Sequence, residues 1–205
     1  MITLQFLLTA FVVVIAPGTG VVYTLAMGLG RGRRAALAAA VGCTIGIVPA
    51  LLAATLGLAA VLHTSAVLFN VMKFAGVAYL LWMAWGALRQ TGALAVKPAQ
   101  GSGDSLGRVA WRGTLINVLN PKLSIFFLAL LPPFLSGVPA QATVEMATLG
   151  GVFMAMTFAV FAVYGLFAGA FRARLLSSER AMAWLNRSFA AVFAALAGRL
   201  AMERA

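Results

Sequence analysis

Asn117, Asn120, Pro121, Lys122 and Ser124 lie within an otherwise apolar stretch that runs from Gly113 to Glu145. A cation near a bilayer centre costs ~2.5–3.5 kcal/mol on insertion scales, so a lysine there reads as a buried functional group rather than a lipid-facing one. Pro121 removes a helical donor and leaves a carbonyl without its partner. Backbone broken at membrane depth persists only where protein or a wet cavity surrounds it. Asn117, Asn120 and Ser124 recur at i, i+3 and i+7, one face of a straight helix, while the proline leaves the direction of Lys122 open. The plain alternative is that the amides tie neighbouring helices together, as buried amides often do.

A second constellation lies near the start of the chain. Pro17-Gly18-Thr19-Gly20 interrupts a first apolar run from about Leu4 to Leu29, and two glycines and a proline in four residues weaken any helix. Unwound backbone at such a break exposes donors and acceptors, and the N-terminus of the half-helix that follows attracts anionic groups such as a carboxylate. Lys122 adds a fixed charge of the same sign. The candidate site is therefore Pro17, Gly18, Thr19 and Gly20 from one break with Asn117, Asn120, Pro121 and Lys122 from the other.

The elements that position these residues follow from composition. The chain is 63% hydrophobic and 9% charged, with a mean hydropathy of +1.02, which places it among polytopic membrane proteins. Further spans are expected from about Ala35 to Leu62, with a kink at Pro49, from Val67 to Leu88, from Trp111 to Leu135 and from Thr143 to Phe171. In the last segment only Ser188 to Gly198 is uninterrupted between Arg187 and Arg199, about 16–18 Å of helix, so it spans only if both arginines snorkel. Gly42 and Gly46 form a G-x-x-x-G that lets another helix approach closely. Lys73, near the start of the third span, reads as a snorkelling residue.

The expected fold is an all-α integral membrane protein of about six transmembrane helices. It divides into a first three-helix repeat (residues 1–88), a flexible hydrophilic linker (89–110) and a second three-helix repeat (111–205). Three is odd, so the repeats insert in opposite orientations. Paired Pro/Gly-interrupted spans in such an inverted repeat, here the first and fourth, point to a secondary transporter's substrate site.

Eleven of the fifteen basic residues fall in connections one, three and five. Arg31, Arg33 and Arg34 form the first group; Arg89, Lys97, Arg108 and Arg112 the second; Arg172, Arg174, Arg180 and Arg187 the third. Connections two and four hold none, which puts the basic connections in the cytoplasm. Tags at Gly101 and between Ser177 and Ser178 are therefore expected to report the cytoplasm, and a tag at Ser65 the periplasm. A periplasmic signal from the Gly101 tag overturns this orientation.

The same residues carry a family resemblance. Leu119-Asn120-Pro121-Lys122, followed by Phe126-Phe127-Leu128-Ala129 and Pro132-x-Phe134, resembles the most recognisable motif of the LysE/RhtB (lysine exporter, or homoserine/threonine resistance) family of bacterial amino-acid exporters. Pro17-Gly18, the basic turn Gly30 to Arg34 and the pair Gly42 and Gly46 resemble that family's opening block. Lys73 to Leu80 resembles its third span, and Arg187 to Leu200 its terminal helix. The resemblance implies a multi-pass protein of the bacterial inner membrane that exports amino acids or close derivatives by proton-coupled antiport. Family members commonly continue Pro-Gly with a second proline and a polar residue, where this chain has Thr19 and Gly20, so substrate identity is not carried over.

Other classes fit less well. One histidine, His63, and four scattered acids supply neither a nucleophile with a base nor a ligand cluster, so an enzyme is not expected. Cys43 alone builds neither a disulfide framework nor a thiolate site. An exporter of a metal cation or another small solute is the alternative, although oxygen-rich intramembrane ligands are absent. No cofactor and no nucleic acid are implied. The expected partners are a small amino-acid substrate and the lipid bilayer, with a homo-oligomer left open.

Overall fold

The computed structural model describes residues 2–16, 18–62, 66–89, 96–99, 103–120, 123, 127, 131–136, 138–171 and 178–202. Among these there is no strand. Pro17, Pro121, Lys122 and Ser124 lie outside the described residues, and so do His63 and the side chain of Lys73.

Helix α1, Leu4–Ile15, is opened by Thr3, whose hydroxyl accepts from the Phe6 amide at 3.1 Å. Ala16 and Gly18 are extended, and α2 runs Thr19–Ile45. The break expected in the first span is thus present. Inside α2, Gly32 has φ +79°, a conformation that only glycine adopts at little cost. It divides α2 into two limbs at the expected basic turn. Those limbs lie side by side, because Gly20 on the first and Gly46 just past the second both approach Asn117.

Helix α3, Val48–Leu62, starts after a turn at Gly46 and Ile47. Pro49 is therefore the second residue of a new helix, where its missing N–H costs nothing, and the expected kink falls just before it. Helix α4 is Ala66–Arg89, with the Arg89 guanidinium 4.5 Å from the centre of the Trp85 ring.

The linker differs from expectation where it is described. Val96 is buried, and the Ala99 amide donates to the Ala26 carbonyl at 3.0 Å. Asp104 is buried too. Its carboxylate accepts from Arg108 at 2.7 Å and Arg112 at 2.5 Å, and its carbonyl accepts from Arg31 at 2.6 Å. Polar composition implies solvation, but Gly30 leaves bare backbone on which Ala99 seats, and Asp104 with Arg31, Arg108 and Arg112 knits the ends.

Helix α5, Leu106–Val118, begins five residues before the expected Trp111 because Ser105 caps it, accepting from the Arg108 amide at 3.3 Å. It stops at Leu119 and Asn120, the expected second break. A 3-10 turn at Pro132–Phe134 precedes α6, Pro139–Leu166. A short helix α7, Ala168–Phe171, follows, then α8, Glu179–Met202.

The stretches Thr19–Gly57, Ala140–Leu166 and Glu179–Gly198 are long and apolar enough to cross a membrane, and Leu4–Ile15 is a shorter apolar helix. The doubtful last segment is one continuous helix of 24 residues. Its buried face carries Met182, Asn186, Phe189, Phe193 and Ala197, while Arg187 points away. The most extensive helix contacts are α2 with α5, α2 with α6 and α4 with α8, each joining residues before the linker to residues after it.

The α2–α5 contact is backbone on backbone. A Cβ on Gly46 would lie 2.5 Å from the Thr114 carbonyl oxygen, one on Gly113 would lie 2.9 Å from that of Ala39, and one on Gly42 would run into that of Ala110. The Thr114 hydroxyl donates to the Gly42 carbonyl at 3.0 Å. This is the small-residue packing the G-x-x-x-G pattern foretells.

Candidate functional site

The two breaks meet. Asn120 Nδ2 approaches Thr19 Oγ1 at 3.4 Å, joining residues 101 apart in sequence. A Cβ on Gly20 would lie 3.1 Å from Asn117 Oδ1 and 2.8 Å from the Phe161 ring. Four of the eight candidate residues, Thr19, Gly20, Asn117 and Asn120, are thus brought together, and Gly18 lines the same space. Pro17, Pro121 and Lys122 lie outside the described residues.

Each break leaves backbone groups to satisfy. At the end of α1 the Ile15 carbonyl accepts from the Tyr164 hydroxyl of α6 at 2.9 Å. At the start of α2 no side chain caps the helix, and among the described residues the first backbone bond runs from the Val22 amide to the Gly18 carbonyl at 3.0 Å. The amides of Thr19, Gly20 and Val21 therefore face the break, where the positive end of the helix dipole favours an anion.

Asn117 divides its amide between two roles. Its Nδ2 donates to the Cys43 carbonyl at 2.6 Å, tying α5 to α2 as the plain alternative expected. Its Oδ1 looks instead toward Gly20. Asn120, one turn on and only partly buried, is the more accessible amide.

Two cavities flank the junction. The smaller, about 50 Å³, lies among Val13, Val21, Asn117, Asn120, Thr157 and Phe161. The larger, about 270 Å³, lies between α4 and α8 and shares Ala16, Gly18 and Asn120 with the first. A buried water needs ~10–15 Å³, so the smaller space takes a few waters while the larger admits a small organic solute.

Three lining or supporting residues were missed in sequence: Thr157 and Tyr164 on α6 and Asn186 on α8. Thr157 donates to the Phe153 carbonyl at 2.8 Å, which satisfies its hydroxyl within the helix. Asn186 is 3% exposed and lines the larger cavity. Its signal is the apolar stripe of Met182, Phe189 and Phe193 on which it falls, next to the Arg187 that bounds the uninterrupted apolar run.

The acids keep away from this junction. Asp104 is held by its arginines at the basic end, and Glu145, buried on α6, accepts from the Ser136 amide at 2.8 Å. Among the described residues no three His, Cys, Asp or Glu side chains gather as a metal site would require.

A sequence profile of the LysE type translocator family matches residues 11–204. The chain is similar to a homoserine/homoserine lactone efflux protein of Salmonella typhimurium, 28% identical over 97% of this chain and 95% of that one. It is similar to a leucine efflux protein of Enterobacter sp., 28% identical over 96% of this chain and 93% of the relative. An uncharacterized membrane protein of Vibrio cholerae is 35% identical over 64% of each chain. No solved structure matches. With nearly its whole length matched and its apolar helices broken where the motifs fall, the chain belongs to the LysE type translocator family, as a multi-pass transporter of the bacterial inner membrane and not an enzyme.

Proposed function

We propose that this chain exports amino acids or close derivatives from the cytoplasm by proton-coupled antiport, binding them where the two breaks meet. The observation that carries the reading is the approach of Thr19 and Gly20 to Asn117 and Asn120 across about a hundred residues of sequence. The substrate carboxylate faces the amides at the start of α2, with Lys122, two residues beyond Asn120, supplying a cation. Relatives named as homoserine and leucine efflux proteins support the substrate class.

An inverted pair of three-helix repeats accounts for the placement of the breaks. Thr19 to Arg31 and Arg108 to Asn120 are each twelve residue steps, about 18 Å of helix. Both breaks therefore lie at similar depth from the basic, cytoplasmic end. The two half-helices run oppositely in sequence, as an inverted repeat requires.

Inside-out vesicles bearing the protein should accumulate radiolabelled leucine or homoserine when their lumen is acidified, and should lose it when a protonophore is added. Accumulation no greater than in vesicles lacking the protein refutes the export reading.

A further inference from the structure

We propose that Tyr164 of α6 is a positioning residue for transport: its hydroxyl holds the Ile15 carbonyl and so keeps the backbone amides at the start of α2 turned toward the substrate carboxylate. The inference rests on the export reading above and deepens it, because it names what holds that site in shape. In an unbroken helix the Ile15 carbonyl accepts from the amide four residues on, which is that of Thr19. Here α1 ends at Ile15, and Ala16 (ψ 123°) and Gly18 (φ −108°, ψ −176°) are extended. The carbonyl accepts instead from the Tyr164 hydroxyl at 2.9 Å, across 149 residues of sequence. The α6 hydroxyl thus stands where the Thr19 amide would stand in a continuous helix.

A rigid neighbour places this bond. Helix α6 is continuous over 28 residues. The turn that carries Tyr164 also carries Phe161 and Gly165, and both press on the first limb of α2. A Cβ on Gly20 would lie 2.8 Å from the Phe161 ring, and a Cβ on Gly165 would lie 3.1 Å from Thr24 Cγ2. One turn of α6 therefore touches both lips of the break, Ile15 on the α1 side and Gly20 with Thr24 on the α2 side. A backbone carbonyl out of water needs a donor. With the hydroxyl gone, the donor that helical geometry offers Ile15 is the Thr19 amide, and taking it rewinds the break and withdraws that amide from the carboxylate. The plain alternative is an interhelical bond that only adds stability. Such a bond alters the amount of inserted protein and leaves the affinity for substrate where it was.

The test follows initial rates of radiolabelled leucine and homoserine uptake against concentration in energised inside-out vesicles, normalised to the amount of inserted protein. It compares wild type, Tyr164→Phe and protein in which p-aminophenylalanine replaces Tyr164. Tyr164→Phe should raise KM about tenfold while the saturating rate stays within about twofold, the pattern of lost binding rather than lost turnover. The p-aminophenylalanine replacement restores an N–H donor at similar reach and should return KM to within about twofold of wild type. Tyr164→Leu removes the donor with a smaller side chain and reads the same shift should Tyr164→Phe insert poorly. A wild-type KM in whichever of these two inserts, or a p-aminophenylalanine KM as high as theirs, overturns the inference and leaves the export reading standing. Accumulation of neither substrate by wild type overturns both.

Discussion

Gly42→Ala should leave little folded protein in the membrane, although it adds a single methyl group. That methyl would run into the Ala110 carbonyl oxygen on α5, which is backbone and cannot rotate aside. The helices must part, and the Thr114 bond to the Gly42 carbonyl and the Asn117 bond to the Cys43 carbonyl stretch with them. Overpacking costs about 1–3 kcal/mol and each interhelical hydrogen bond about 0.6. A loss of about 2–4 kcal/mol is a large part of the 5–15 that a folded domain commands. The check is the yield of monodisperse protein after detergent extraction, set against Gly151→Ala, where a Cβ meets nothing within 4 Å. Equal yields from the two variants would mean that α2 and α5 do not pack as described.

Gly42 also marks how far sequence reading reaches. That a helix approaches this face follows from spacing alone, since small residues four apart open a groove. That the helix is α5 does not, because Ala110 and Gly113 carry no signal that singles them out from other small residues. The breaks were legible for a stronger reason. Proline and glycine change what the backbone can do whatever surrounds them, so the ends of α1 and α5 fall where the residues put them. The meeting of Thr19 with Asn120 was legible only as a symmetry between halves.

Polarity weighed residue by residue leaves the last segment open and makes the linker read as solvated. Arg187 and Arg199 bound the uninterrupted run of the last segment, and helix α8 places Arg187 away from its buried stripe and continues through it. The linker was read from its polar residues, yet Val96 is buried and Asp104 is closed over by arginines. Even the helix start at Leu106, five residues before the apolar run at Trp111, has a local sign in Ser105. Asp104 is closed over by Arg31, Arg108 and Arg112, Ser105 is taken up by the first turn of its own helix, and Arg187 turns away from the buried face.

Lys122→Ala and Asn120→Ala should each abolish energised accumulation, by about a hundredfold or more, while the amount of inserted protein stays at or above wild type. The Asn120 contact to Thr19 is long, at 3.4 Å, and the residue is only partly buried, so its loss weakens the fold little. Removing Lys122 relieves the ~2.5–3.5 kcal/mol that a cation costs on insertion. A proton entering down ~150 mV releases ~3.5 kcal/mol, which sustains a gradient of a few hundredfold at one-to-one exchange. Some group must carry it, and the chain offers two near the spans. Glu145 is fixed by the Ser136 amide and lies eight residues from Phe153, about 12 Å along α6 from the smaller cavity. Lys122 follows Asn120 directly after the proline, and on the proposed reading it is charged while it holds the substrate carboxylate and gives up its proton when that leaves. Efflux under an imposed pH gradient separates the two. Glu145→Gln should keep its response to the gradient, whereas Lys122→Gln should lose both transport and response. If Glu145→Gln alone uncouples transport from the gradient while substrate exchange persists, the buried carboxylate is the carrier and the lysine only binds.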